Sequence, residues 1–182
     1  MKKILLFIGV VFSILTLMGC DNIMNTPTKK VEMLLSKYQT QSKEVLDQLD
    51  EVLLQETLLN SDLKERFREL MKRQYKDLAY KIKNETIDGN MAIVETEIEV
   101  YDYNKAIKDL DNEVLSNSEE YVDDSGNVIT SKYNENKIKA MEEVKERITY
   151  TINFTVSKLN DKWMVDDLTD MERMKLHGLY AY

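Results

Sequence analysis

From Ala92 to Val100 the chain alternates without a break. Ala92, Val94, Thr96, Ile98 and Val100 share one parity, and Glu95, Glu97 and Glu99 take the other. Successive side chains of a strand point to opposite faces, so this segment requires a sheet with one dry face and one wet, acidic face. A second segment repeats the demand: Ile148, Tyr150, Ile152, Phe154 and Val156 alternate with Thr149, Thr151, Asn153 and Thr155. A chain carrying two such strands needs a layer of apolar side chains to cover their buried faces.

The rest of the sequence supplies that layer and the turns. Leu78, Tyr80 and Ile82 alternate ahead of Asp88-Gly89-Asn90, a hairpin signal because Gly tolerates positive φ. Leu159-Asn160-Asp161-Lys162 is a second turn, followed by a last strand through Trp163, Met164 and Val165. Upstream the period is 3.6. Thr26-Pro27 reads as an N-cap with proline at the first helical position, and Val31, Leu34, Leu35 and Tyr38 follow at helical spacing. Val45, Leu46, Leu49, Val52 and Leu53 continue the stripe beyond a polar patch at Gln39-Thr40-Gln41-Ser42, which predicts one long helix with a drifting phase. A further helix runs through Leu63, Phe67, Leu70, Met71 and Gln74, with Asp62 and Glu65 in capping-box spacing. Another is expected over Asn104 to Leu115, and a helical pattern restarts at Ile138, Met141 and Val144. The tail, with Met171, Met174 and Leu176, is expected to be a short or frayed helix. The fold class is therefore α+β: N-terminal helices packed on a curved, mainly antiparallel sheet.

The N-terminus addresses a different question. Lys2 and Lys3 precede an apolar run from Ile4 to Met18. That run is shorter than the roughly 20 residues a helix needs to cross hydrocarbon, and its layout is that of a signal peptide. It closes on Leu17-Met18-Gly19-Cys20, which resembles the lipobox of bacterial lipoproteins. The resemblance implies recognition of Leu17 and Gly19 by the signal peptidase. It also implies attachment of diacylglyceryl to the Cys20 sulfur, cleavage before Cys20, and residence on the extracytoplasmic face of the cell membrane. Two or three acyl chains anchor stably where a single chain does not. On this reading residues 1–19 are the leader, 20–27 the lipidated cysteine and a short tether, and 28–182 one α+β domain. An acidic loop over 116–136 is expected to be its flexible part.

Composition narrows the functions open to that domain. The chain has one cysteine, so lipidation of Cys20 leaves no thiol for disulfides or redox work. The formal net charge is −8, and it becomes −10 once the leader and its two lysines are gone. Phosphate backbones need a basic stripe, so nucleic acid is not an expected partner, and an anionic lipid surface is repelled.

The order of elements and the run Lys162-Trp163-Met164-Val165-Asp166-Asp167-Leu168 resemble small exported members of the cystatin-like cone fold, the nuclear transport factor 2 superfamily. So does the segment around Asp88-Gly89-Asn90. The resemblance covers roughly residues 28–170 and implies a sheet whose concavity holds a pocket. Tyr80, Ile98, Asp102, Tyr150, Phe154 and Trp163 are the expected lining. Some members of that superfamily place an Asp base and a Tyr donor inside such a pocket, which makes Asp102 with Tyr80 or Tyr150 the catalytic alternative. The competing reading makes Asp102 the cap of the helix beginning near Asn104 and the tyrosines core residues with hydroxyls at the rim.

The remaining inventory is thin. His177 is the only histidine and stands in a tail expected to be mobile, and one His without a fixed partner makes neither a metal site nor a triad. Glu119, Glu120, Asp123, Asp124 and Asn127 cluster oxygens without EF-hand spacing and are expected to be a solvated loop. No catalytic residue, metal or cofactor is expected. The functional expectation is a lipid-anchored binding or interaction protein without catalytic activity, taking a protein partner or a small apolar ligand. A cone-fold pocket enzyme and an accessory or immunity-type surface lipoprotein are the alternatives.

Overall fold

A computed structural model describes residues 24–182. The expectations on Leu17, Gly19, Cys20 and the leader lie outside the described residues. Among those described, no helix is long and apolar enough to cross a membrane.

The two alternating segments are the centre of a four-stranded antiparallel meander. Its strands are β1 (Ala79–Asp88), β2 (Met91–Tyr101), β3 (Arg147–Leu159) and β4 (Lys162–Val165), in the order β1-β2-β3-β4. β2 and β3 pair from Met91↔Ser157 to Tyr101↔Arg147, which sets Ile98 beside Tyr150 and Val94 beside Phe154. Both hairpins close on two residues. Gly89 takes φ 58°, and Asn160 and Asp161 take φ 49° and 61°, the left-handed geometry that follows the right-handed twist of the strands. A bulge between Ile82 and Asn84 breaks the register of β1, and beyond it β1 is exposed on both faces.

One face of the sheet is covered. Helices α1 (Pro27–Gln39) and α6 (Asp170–His177) lie against it, with α2 (Lys43–Gln55) and α3 (Ser61–Lys76) packed behind them. Helices α4 (Tyr103–Ser116) and α5 (Thr130–Glu143) form a pair between β2 and β3, and α5 leans on α3. The fold is α+β, with helices packed against an open antiparallel sheet. Ala92, Val94, Thr96, Ile98 and Val100 of β2 are buried, as are Tyr150, Ile152, Phe154 and Val156 of β3. They meet Val31, Leu35, Leu70, Met71 and Leu176 from the helices in one core. The other face, with Glu95, Glu97 and Glu99, has no helix over it among the described residues.

Several local expectations change. The long N-terminal helix is two helices. Thr40 ends α1, Gln41 turns to φ 52°, and Ser42 caps α2 by accepting from the Val45 N–H. Thr26 does cap α1, accepting from the Lys29 N–H at 3.2 Å ahead of Pro27. The cap of α3 is Asn60, which accepts from Leu63 N–H at 2.9 Å. Asp62 sits in the first turn, where a carboxylate meets the positive end of the helix dipole. α5 starts at Thr130, eight residues ahead of Ile138. Before it come a 3₁₀ turn at Ser118–Tyr121 and a bridge between Val122 and Val128. The tail is an ordered helix. A capping box between Thr169 and Glu172 starts α6, and Gly178 ends it at φ 69°.

Candidate functional site

The six residues expected to line a pocket divide into three groups. Tyr80, Ile98 and Tyr150 fall in one row across β1, β2 and β3, so Ile98 separates the two tyrosines. Ile98 and Phe154 are fully buried in the core, and Tyr150 nearly so. Helices α1 and α6 fill the space over this row, and the side chains that would line a concavity pack against them instead. The Tyr150 hydroxyl donates to the carbonyl of Tyr180 at 3.1 Å. Burial first, and the charge of Asp102 second, push its pKa above the usual phenol range.

Asp102 stands past the end of β2 and caps α4. One carboxylate oxygen accepts from the Lys105 N–H at 3.0 Å, and the other accepts from the Tyr182 hydroxyl at 3.0 Å. Both oxygens therefore hold partners from the chain itself, whereas Tyr80 pairs with Ile98, four residues before Asp102, from the neighbouring strand. Asp102 and Tyr150 are electrostatic neighbours, but Tyr80 does not join them.

Trp163 belongs to a third place. It stands on β4 at the base of an open cleft of about 400 Å³ walled by α1, α2 and the segment after β4. Leu34, Tyr38, Val45 and Val165 supply its apolar surface, Lys30, Lys37 and Arg173 its positive charges, and Glu44, Asp166 and Asp167 its negative ones. Lys37 pairs with Glu44 across the α1–α2 junction. The cleft exists because the chain breaks at Gln41. A continuous helix would carry Gln48 about 15 Å beyond Tyr38, at 1.5 Å per residue, and leave no second wall. Sequence reading missed this site for that reason, although Tyr38 and Val45 were both legible as stripe residues.

His177, assigned to a mobile tail from sequence, ends α6 against α3. Its Nε2 lies 3.0 Å from the Tyr75 hydroxyl, and its ring is 5.7 Å from that of Tyr75, which in turn meets Tyr38 edge-on at 5.1 Å. Burial, aided by the charge of Arg173, pushes the His177 pKa down to about 4, so the ring is neutral at pH 7. The acidic run 119–127 is organised around Asp123, whose carboxylate accepts from the backbone N–H groups of Ser125 and Asn127, each at 2.9 Å. Those two bonds hold its pKa below the usual carboxylate range. Among the described residues no group of three or more His, Cys, Asp or Glu converges as metal ligands would.

Neither a protein-family model nor a curated protein matches the sequence. Among solved structures, the chain is similar to a "putative lipoprotein (ycdA)" of Bacillus subtilis, with 13% identity and a TM-score of 0.39. The match covers 66% of this chain and 38% of that one. That degree of likeness establishes neither fold nor function for this chain.

Proposed function

We propose that this chain is a lipid-anchored, non-enzymatic interaction domain on the outer face of a bacterial cell membrane. Cys20 carries the anchor, and the cleft beside Trp163 receives a segment of a protein partner. The lipobox at Leu17–Cys20 supports the anchor, and the resemblance to the cystatin-like cone fold supports the general layout.

The observation that carries the binding reading is the contrast between two places. The row Tyr80–Ile98–Tyr150 is packed solid, whereas the cleft between α1, α2 and β4 is open and combines apolar surface with charges of both signs. A small apolar ligand has no enclosed space over that row, and such ligands bind by burying most of their surface. An open groove of mixed chemistry suits a peptide segment, whose side chains use the apolar floor and whose charges meet the rim.

Photo-crosslinking on intact cells tests this. A benzophenone side chain introduced at Met33 or Gln48, both in the cleft wall, is expected to give one discrete adduct. The same group at Lys108 on α4 gives none. Equal adducts from all three positions, or none from the cleft, overturn the reading.

A further inference from the structure

The described chain begins at one particular edge of the sheet. The Asn25 side chain donates to the Asp161 carbonyl at 2.7 Å and accepts from the Trp163 N–H at 3.0 Å, which pins the start of the domain to the β3–β4 turn. The β1–β2 turn lies at the same edge, since the Asn90 carbonyl accepts from the Lys158 N–H at 2.8 Å. Met24 follows Cys20 by four residue steps, and at roughly 3.3–3.6 Å per residue these reach at most about 14 Å. A lipid on Cys20 therefore holds both hairpin turns close to the bilayer surface.

The uncovered face of the sheet changes character toward that edge. Met91, Ser157 and Met164 form the row nearest the turns, with Leu159 two residues further out on β3 and Ile93 two residues inward on β2. The four apolar side chains are 56% (Met91), 57% (Met164), 65% (Leu159) and 49% (Ile93) exposed. They share one face, because residues two apart on a strand point the same way. Glu95, Glu97 and Glu99 occupy the next rows inward and lie progressively further from the edge. The charges at the two turns balance in number, Lys158 and Lys162 against Asp88 and Asp161, and Lys158 pairs with Asp161.

We propose that this patch of Met91, Ile93, Leu159 and Met164 is a membrane-contacting surface, and that its partner is the neutral interfacial region of the bilayer holding the anchor. The proposal rests on lipidation of Cys20 as read above. Contiguous exposed apolar surface on a domain marks a contact site. Here the tether places a lipid surface within reach of it at very high effective concentration. Half-exposed Met, Leu and Ile side chains enter the headgroup boundary without desolvating charge, and the glutamates remain in water. The contact fixes the orientation of the domain, with the sheet edge down and α2, α3 and the α4–α5 pair directed away from the membrane.

The test uses the full, processed protein extracted from membranes and reconstituted in phosphatidylcholine vesicles. Nitroxide labels are placed singly at Leu159→Cys, Met164→Cys and, as control, Glu97→Cys, with the native Cys20 thiol blocked by its lipid. Intact mass first establishes whether the lipid is present. The expected result is a several-fold loss of collision with a water-soluble nickel complex at positions 159 and 164, a gain in collision with oxygen, and neither change at position 97. A lipidated protein whose labels at 159 and 164 match the control refutes the membrane contact alone. Shielding that disappears when protein is diluted into excess lipid identifies a second copy as the occupant and also refutes it. A mass without lipid refutes the anchor reading, and the membrane contact falls with it.

Discussion

A methyl group at residue 178 has no space. A Cβ on Gly178 would sit 2.0 Å from the Tyr101 carbonyl oxygen and 2.3 Å from Gln74 Nε2, and the backbone there has φ 69°. The two atoms it would strike are hydrogen-bonded to each other. Fully buried Gln74 donates to the Tyr101 carbonyl at 3.1 Å and accepts from the Tyr101 N–H at 2.8 Å, completing the end of β2. Gly178→Ala is therefore expected to cost about 3 kcal/mol in a urea unfolding series, more than a left-handed glycine cap alone accounts for. A loss under about 1 kcal/mol contradicts the close approach. His177, one residue earlier, gives a pH signature. Its folded pKa, near 4, lies below the unfolded value of 6.5, so the unfolded chain binds more protons between those limits and stability is lost as pH is lowered across that window. The expected loss between pH 7 and pH 5 is about 2 kcal/mol, and His177→Phe should flatten that slope. An equally steep profile in the variant would place the acid sensitivity elsewhere. Nothing in the sequence pointed to either residue, because a glycine and a histidine near the end of a chain look the same whether packed or frayed.

At the scale of elements, the strands and the Thr26-Pro27 start of α1 were legible, whereas the break between α1 and α2 and the starts of α3 and α5 were not. Strict alternation in β2 and β3 reflects a sheet with one dry face, and no other arrangement hides Val94, Ile98, Ile152 and Phe154 while leaving three glutamates wet. The break between α1 and α2 left only a phase drift, because Gln41 takes a left-handed conformation more often associated with glycine. The first turns of α5 were hidden by chemistry. Asn134 occupies its buried stripe, donating to the Leu58 carbonyl at 2.9 Å, where an apolar residue would have announced a helix. Arg73 joins α3 to the far end of α5. Its guanidinium donates to the carbonyls of Met141, Glu142 and Val144 at 3.1–3.4 Å and lies over the Tyr101 ring at 4.6 Å. These carbonyls form the negative end of α5, so a planar cation with several donors is well placed there. Arg73→Lys is expected to cost about 2 kcal/mol, because one ammonium cannot replace the fork. Arg68→Lys, which alters a more exposed pair with Asp50, is expected to cost under about 1 kcal/mol. Equal effects in thermal unfolding would contradict the assignment.

For the whole molecule, the sequence carried two independent messages that meet at one edge of the sheet. The period-2 segments specified the α+β class, and the N-terminal pattern specified an anchor. Neither said where the tether leaves the domain. That follows from Asn25 bridging Asp161 and Trp163, a contact between residues more than 130 positions apart that no local pattern encodes. The expected pocket failed for a related reason. Tyr80, Ile98, Tyr150 and Phe154 share the parity of a pocket and of a core alike, and the helices laid over them decide in favour of core. The cleft that is open depends on the break at Gln41 and so was not visible before the structure. The placement of the domain at a membrane turns on Cys20. Intact mass spectrometry of the protein extracted from membranes measures it directly. The predicted result is a chain starting at Cys20, lacking residues 1–19 and heavier by a diacylglyceryl group, with Cys20→Ser giving only unprocessed precursor. A full-length chain with an unmodified Cys20 thiol would contradict the account.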